Sequence, residues 1–337
     1  MRKVVLAAVG KLEYQEAPIP ELRPGWVRVR ILRCGLCGTD VHNYYKETIF
    51  GKDAYPFNMG HEVCGMVDGV GEGVCDLAVG DKVVVDPIWS CGACRLCHMG
   101  QANHCEHKTT IGLMGPSGNS EYTLAPASAV VRTDPEGDPD LLVFTEPVAT
   151  VLYGLDKLKI DATHDVLIVG AGAIGLIFLQ ILKNAQLHSL TVADVMEDKL
   201  AFAKVLGADR VVNTAVHTDE RKYDVIIDCT GSAKVVEEDF KRVRAGAQVL
   251  IFGVCPIDST ITLKPFDVYN NDLSIYASYT LTPSAFQRAL HLIESGRIDV
   301  RALLAGVYPV GRLEECIQAV KAGKVNGKIV IDTTRMF

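Results

Sequence analysis

Val166-Leu167-Ile168-Val169-Gly170-Ala171-Gly172-Ala173-Ile174-Gly175 is an apolar run that breaks into three glycines spaced G-x-G-x-x-G. The run reads as a strand buried on both faces, and the apolar residues that follow towards Lys183 read as a helix. Glycines at such a bend permit a tight turn and let backbone amides approach a pyrophosphate, while the helix N-terminus favours its negative charge. Alone, the pattern is weak evidence. A second strand, Leu190 to Ala193, ends at Asp194, nineteen residues after Gly175. A carboxylate there accepts hydrogen bonds from ribose hydroxyls and repels a 2′-phosphate, which selects NAD over NADP. A surface acid is the alternative reading of Asp194. Gly170, Gly172, Ala173, Ile174, Gly175 and Asp194 are thus the expected cofactor residues.

Outward from this unit the alternation continues. A helix over Lys199 to Leu206 precedes a strand near Arg210 to Asn213, and further strands are expected at Asp224 to Asp228, Ala247 to Phe252 and Leu273 to Ala277. That makes a doubly wound sheet of about six strands in a domain that begins near residue 151. From Pro283 the pattern changes to a helix ending at Ser295, another near Leu313 to Ala322 and a terminal strand at Lys328 to Asp332. This last part is expected to return to the N-terminal domain. That domain starts as short strands, residues 3 to 9 and 26 to 33, and its recurring glycines among valines between Val63 and Pro87 suggest a barrel-like sheet. Helix is expected to be scarce before about residue 140.

Two clusters in the N-terminal domain carry chemistry. The first opens Cys37-Gly38-Thr39-Asp40-Val41-His42 and closes Gly60-His61-Glu62. A thiolate, an imidazole and a carboxylate are zinc-binding groups, and a hydroxyl and a second imidazole follow the cysteine at close spacing. The second is Cys91-x2-Cys94-x2-Cys97-x7-Cys105. Four thiolates can close a tetrahedral shell around one metal with no position left for substrate, so the role is structural. An iron–sulfur cluster is the rival reading; its bacterial run has a closer fourth cysteine followed by proline, whereas Glu106 follows Cys105 here.

Composition excludes other classes. The 337 residues suggest two domains, and a net charge of −7 without long like-charge blocks argues against nucleic acid or anionic membrane as partners. The basic N-terminus precedes an apolar run too short for a signal peptide, and Val166 to Leu179 falls short of the ~20 residues that span a membrane. Eleven cysteines in a cytoplasmic protein are most easily explained if several serve metals.

Gly35-Leu36-Cys37-Gly38-Thr39-Asp40-Val41-His42, Gly60-His61-Glu62, the four-cysteine loop, Glu146-Pro147, and Gly170 to Gly175 with Asp194 occur in this order. Over essentially its full length the chain resembles the zinc-dependent medium-chain alcohol dehydrogenases, above all the branch holding sorbitol (polyol), threonine and butanediol dehydrogenases. The resemblance implies an α/β protein with a GroES-like β-barrel catalytic domain over residues 1–150, completed by 283–337, and a Rossmann domain over 151–282. It implies two zinc ions per chain. Cys37, His61, Glu62 and Glu146 would serve the catalytic one, and Cys91, Cys94, Cys97 and Cys105 the structural one. Glu146 stands where better-known alcohol dehydrogenases have a second cysteine, which makes the pocket more polar and suits a hydroxylated substrate. Whether Glu62, Glu146 or a water completes the metal sphere is left open. Asp40 either orients His61 or caps its own turn, and both can hold.

The implied chemistry is oxidation of a secondary alcohol to a ketone. Zinc acidifies the substrate hydroxyl, Thr39 takes the proton and passes it through the cofactor ribose to His42, and hydride goes to the nicotinamide. Thr150 would border the nicotinamide, and Lys199 would reach the adenosine ribose, with a solvated helix residue as the alternative for Lys199. A polyol, sugar alcohol or cyclitol is the expected substrate, and threonine or 2,3-butanediol the alternative. Ser278 stands where the sorbitol branch usually has arginine, which sets sorbitol itself apart from polyols in general. Tyr44, Tyr45, Phe50, Phe57, Trp89 and Tyr279 could line the pocket, although aromatics are more often core. A non-catalytic NAD- and zinc-binding sensor is the rival class, disfavoured because all ligand and relay residues are present. A homo-oligomer is implied, dimer or tetramer, joined through the edge of the dinucleotide sheet.

Overall fold

A computed structural model describes residues 1–46, 48 and 51–335, the side chain of Lys52 excepted. The chain opens with β1 (Arg2–Ala8), β2 (Lys11–Glu16) and β3 (Trp26–Gly35), then α1 (Gly38–Tyr45), β4 (Phe57–Asn58), β5 (Glu62–Val70), β6 (Lys82–Val85) and β7 (Ile88–Trp89). Short helices α2 (Arg95–His98) and α3 (Ile111–Met114) flank β8 (Thr109–Thr110), and β9 (Tyr122–Pro126), β10 (Val130–Arg132), α4 (Pro139–Leu142) and α5 (Thr145–Leu155) follow. Next come β11 (Asp165–Val169), α6 (Ala173–Leu182), β12 (Ser189–Asp194), α7 (Glu197–Val205), β13 (Arg210–Asn213), β14 (Tyr223–Asp228), α8 (Ala233–Asp239), β15 (Val243–Ile251), α9 (Pro265–Asn270) and β16 (Ser274–Ala277). The chain closes with α10 (Pro283–Glu294), β17 (Leu304–Pro309), α11 (Leu313–Lys321) and β18 (Lys328–Asp332).

These elements form two compact units, one of residues 1–149 with 281–337 and one of residues 150–280. In the first, β10, β6, β5, β3, β18 and β17 lie side by side in that order, and β9 also pairs with β3. The C-terminal strand β18 pairs antiparallel with β3, Val330 opposite Gly35 and Asp332 opposite Arg33. That register brings Lys328 and Glu62 together, since Glu62 starts β5 opposite the same Gly35. Alternation along β3 and β5 buries Val27, Val29, Ile31, Val63 and Val67 in one core with Val83, Val85 and Trp89.

The second unit is a six-stranded parallel sheet in the order β13-β12-β11-β14-β15-β16. Strand order reverses beside β11, the first strand of the unit, so the loops at the carboxyl ends of β11 and β14 flank the crevice where doubly wound sheets bind ligands. Strand β11 is buried throughout its apolar run because it lies between β12 and β14 with α6 packed on it.

Helix is scarce before residue 140, as expected: α1 is the longest there, and α2 and α3 have four residues each. Residues 38–45 form α1, eight residues long, although Thr39, Val41 and Tyr45 are weak helix formers. Tertiary packing decides it, since Val41 and Tyr44 enter a core with Leu313, Cys316 and Ile317 of α11. Strand β17 and helices α8 and α9 also went unread, and β15 begins at Val243, four residues before the expected start. Among the described residues no helix is long and apolar enough to cross a membrane.

Candidate metal centre and dinucleotide turn

Cys37 sits at the N-cap of α1, and Gly60-His61-Glu62 runs into the first residue of β5. Asp40 joins the two segments. Its Oδ2 accepts the Cys37 N–H at 3.1 Å and its Oδ1 accepts the Gly60 N–H at 3.0 Å. The turn-capping reading of Asp40 is therefore the one its hydrogen bonds follow, and its charge also reaches His61. One donor atom from each of Cys37, His61 and Glu62 lies within 4.8 Å of the others. Burial works against a charged His61, but the Cys37 sulfur at hydrogen-bonding distance, with Asp40 and Glu146, raises its pKa well above the ordinary value. The cluster so concentrates negative charge that a cation is its natural complement.

Glu62 is fully buried, and its Oε1 accepts a 2.6 Å hydrogen bond from Lys328, itself only 4% exposed. Its Oε2 is buried without a partner. An unpaired carboxylate oxygen in the interior is costly, and a metal held with Cys37 and His61 would satisfy it, so the residues present fit a zinc ion. Gly35 makes room for this carboxylate, because a Cβ built there would stand 1.8 Å from Oε2. Lys328 and Gly35 escaped the sequence reading. A lysine heading an apolar strand, Lys328-Ile329-Val330-Ile331, was the signal for one of them, since a cation there must be either exposed or paired.

Glu146 lies in the first turn of α5 and is nearly buried, outside the 4.8 Å grouping of Cys37, His61 and Glu62. Burial pushes its pKa up to about 7; His61 and Lys328 oppose the rise, and Glu62 and Asp86 add to it. Asp86, which the sequence reading passed over, is likewise raised to about 7 by burial, against the Ile88 N–H that its Oδ1 accepts at 2.9 Å. Thr39 and His42 stand on α1, one exposed and one half-buried. Burial first, then Lys46 and Lys321, lowers the His42 pKa, so the imidazole is neutral at pH 7 and able to accept a proton.

In the four-cysteine loop Cys94 Sγ lies 3.5 Å from Cys97 Sγ and 3.8 Å from Cys105 Sγ, and Cys105 Sγ lies 3.5 Å from Cys91 Sγ. All four sulfurs fall within 4.8 Å of one another. A tetrahedron with metal–sulfur bonds of about 2.3 Å has sulfur edges of ~3.8 Å, so the loop fits a single zinc ion. A multi-iron cluster would place iron and sulfide between the cysteines and spread them farther. Backbone N–H groups of Cys91 and His107 donate to Cys105 Sγ at 3.3 Å each, which supports thiolate charge.

In the second unit Gly170 has φ +101°, and a Cβ on Gly175 would meet the Gly170 carbonyl oxygen at 1.9 Å. Only glycine fits either place. A Cβ on Gly172 would meet nothing within 4 Å. That open space lies at the N-cap of α6, whose first residues Ala173 and Ile174 are half-buried. A diphosphate fits such a cradle. Asp194 ends β12, and its Oδ2 accepts the Ala171 N–H at 2.7 Å while its Oδ1 accepts those of Val195 and Met196 at 2.7 and 3.0 Å. The acid is thus tied to the glycine turn. Lys199 is half-buried on α7 and Thr150 half-buried on α5.

The aromatic candidates divide. Trp89, Tyr44 and Phe57 are core residues: Trp89 donates from Nε1 to the Asp86 carbonyl and packs edge-on against Trp26, and Tyr44 bonds Glu314 of α11. Tyr45 and Tyr279 are exposed, and Phe50 lies outside the described residues.

Residues 23–135 match the alcohol dehydrogenase GroES-like domain and residues 173–295 the zinc-binding dehydrogenase domain. D-altritol 5-dehydrogenase of Agrobacterium fabrum is 31% identical over 309 residues, 89% of this chain and 90% of that protein. A crystal structure from Escherichia coli CFT073, described as a short chain alcohol dehydrogenase (rspB) complexed with NADH, superposes with a TM-score of 0.90 at 26% identity, covering 98% of this chain and 99% of that one. A zinc-binding dehydrogenase from Sinorhizobium meliloti 1021 bound to NADP gives 0.87 at 29% identity, with 98% of each chain covered. The chain belongs to the zinc-dependent medium-chain alcohol dehydrogenase family, and it is an NAD(P)-dependent oxidoreductase of that family with a GroES-like and a Rossmann domain.

Proposed function

We propose that this protein oxidises a secondary alcohol of a polyol, sugar alcohol or cyclitol to the ketone, with NAD as hydride acceptor. The observation that carries the reading is the convergence of Cys37, His61 and Glu62 with a further acid, Glu146, acting on their charge. Carboxylates in place of a second thiolate favour a polar pocket, and the relative from Agrobacterium fabrum is named for a sugar alcohol. A zinc ion held by Cys37, His61 and Glu62 supplies Lewis acidity to an alcohol oxygen, and a nicotinamide dinucleotide supplies the hydride acceptor. Thr39 takes the hydroxyl proton, and neutral His42 carries it to solvent. Glu146 adjusts the charge around His61. Gly170 to Gly175 cradle a diphosphate, Asp194 and Lys199 hold the adenosine ribose, and Thr150 borders the nicotinamide. Cys91, Cys94, Cys97 and Cys105 hold a second, structural zinc.

NADH formation measured with hexitols, pentitols, inositols, aminocyclitols, threonine and 2,3-butanediol tests the reading. Turnover confined to polyhydroxylated compounds is expected, whereas oxidation of threonine or butanediol alone would move the protein to the other branch. Asp194→Ala is expected to narrow the preference for NAD over NADP by about tenfold or more, because it removes both the ribose acceptor and the charge that repels a 2′-phosphate. An unchanged ratio of kcat/KM for the two cofactors would place the ribose elsewhere.

A homo-oligomer, dimer or tetramer, is part of the proposal. Strand β16 ends its sheet, and Val254, Ile257, Phe266 and Tyr269, between 67% and 89% exposed, cluster in sequence just before it. Exposed apolar side chains of this size suit a second copy of the chain. Eleven cysteines with no disulfide among the described residues suit a reducing cytoplasm.

A further inference from the structure

Beside the dinucleotide turn the second unit buries two acids with one cation. Asp228 ends β14 and Asp239 ends α8; both are 0% exposed, and their carboxyl groups lie at hydrogen-bonding distance from each other. Arg242 donates from Nη2 to Asp239 Oδ1, while Asp239 Oδ2 is buried with no donor to satisfy it. Asp228 is fully engaged on its other side. Its Oδ1 accepts the Thr230 N–H at 3.0 Å, and its Oδ2 accepts the Thr230 hydroxyl at 2.9 Å. The groups facing Asp239 are Arg242 from the turn after its own helix, Asp228 at the end of β14 and Cys229 just after it, and the Cys255 thiol after β15 also feels Asp228. One guanidinium cannot balance two carboxylates in contact, so one of them carries a proton.

The residues that Asp228 holds border the glycine turn. A Cβ on Gly170 would stand 3.3 Å from Thr230 Cγ2, and one on Gly253 would stand 2.2 Å from the Gly231 N. The loops after β11, β14 and β15 therefore pack backbone to backbone, and a shift of residues 229–231 is transmitted to the cradle. We propose that Asp239 is a positioning residue that, while protonated, donates a hydrogen bond to Asp228, so that this proton holds the Cys229-Thr230-Gly231 turn in the form that binds the dinucleotide. The proposal rests on the reading of Gly170 to Gly175 as a dinucleotide cradle. Burial, against the pull of Arg242 and with the push of Asp228, lifts the Asp239 pKa to about 7. The fold therefore binds a proton that the unfolded chain releases near its ordinary value, and the stabilisation is complete below about pH 4 and lost as pH rises through about 7.

The test is fluorescence titration of NADH into the full-length zinc-loaded protein between about pH 6 and pH 9, alongside thermal melts over the same range. Wild-type affinity is expected to weaken as pH rises through 7. Asp239→Asn, a neutral isostere that keeps an N–H donor, should bind as tightly as wild type at low pH and show no such decline. Asp239→Ala, which removes the donor and strands Arg242, should bind about tenfold more weakly throughout. An Asn variant that follows the wild-type pH profile, or an Asp228→Asn variant that alone flattens it, overturns the proposal. The melts read the proton without the cofactor. A wild-type melting temperature that falls relative to Asp239→Asn as pH rises supports the shared proton even if NADH fails to bind, in which case it is the dinucleotide reading that has failed; parallel melting profiles overturn the proton itself.

Discussion

Cys37→Ala is expected to lower alcohol oxidation by at least about a hundredfold, the loss that follows removal even of a partner outside the metal's own ligand set, while leaving the folded protein in place. The cysteine caps α1, whose position is secured independently by Val41 and Tyr44 in the core with α11 and by the bonds from Asp40 to Cys37 and Gly60. Cys91→Ala is expected to do the reverse, chiefly destabilising the protein. From Cys91 to Lys108 only Asn103 and Cys105 are buried, so the loop has no apolar core of its own and its order depends on what the four sulfurs hold. In isolated finger peptides structural zinc contributes ~10 to 16 kcal/mol of apparent binding energy, of which a loop on a large folded domain would show a part. Zinc content, thermal melts and turnover measured on both variants decide the matter. Equal loss of folding in both would contradict this division of roles.

Lys328→Met is expected to destabilise the zinc-stripped protein by about 3 to 5 kcal/mol, the cost of leaving a buried carboxylate without its counter-charge. Glu62 is 0% exposed and Lys328 4%, and the 2.6 Å bond between them is the one charge-assisted contact that Oε1 makes among the described residues. Burial opposes a charged Lys328, but Glu62 first and Cys37 next raise its pKa, so the ammonium persists beside the Glu62 carboxyl group. The double variant Lys328→Met with Glu62→Gln should recover much of the loss, because the uncompensated charge is gone. Urea midpoints of the three proteins provide the comparison, and restoring zinc should shrink the effect of the single change, since a cation next to Glu62 takes over part of the compensation. A single-variant loss below about 1 kcal/mol would mean that Glu62 is not charged in the stripped protein.

Local pattern made most of the second unit readable. An uninterrupted apolar strand, a glycine turn and an acid at the end of the next strand are consecutive in the chain, and most strands that pair in the sheet follow one another in sequence, β11 with β12, β12 with β13, β14 with β15 and β15 with β16. The four-cysteine loop was legible for the same reason, because its sulfurs come from fifteen consecutive residues and spacing alone brings them together. Helix α1 was not legible, because its propensity is poor and its partner α11 lies more than 260 residues away. The aromatic residues were ambiguous until packing put Trp89, Tyr44 and Phe57 inside the core.

What the amino-acid order determined by itself was the chemistry available: a thiolate, an imidazole and carboxylates of the kinds that bind a metal, four closely spaced thiolates that could bind another, and a glycine turn followed by an acid of the kind that meets a dinucleotide. Tertiary structure alone decided how those groups are charged. Lys328 reaches Glu62 only because β18 returns beside β3, Asp239 shares a proton with Asp228 only because α8 packs on β14, and Gly35 matters only because Glu62 is turned towards it. Charge in an interior depends on distance and burial, and both come from residues far apart in the chain, which no local pattern encodes.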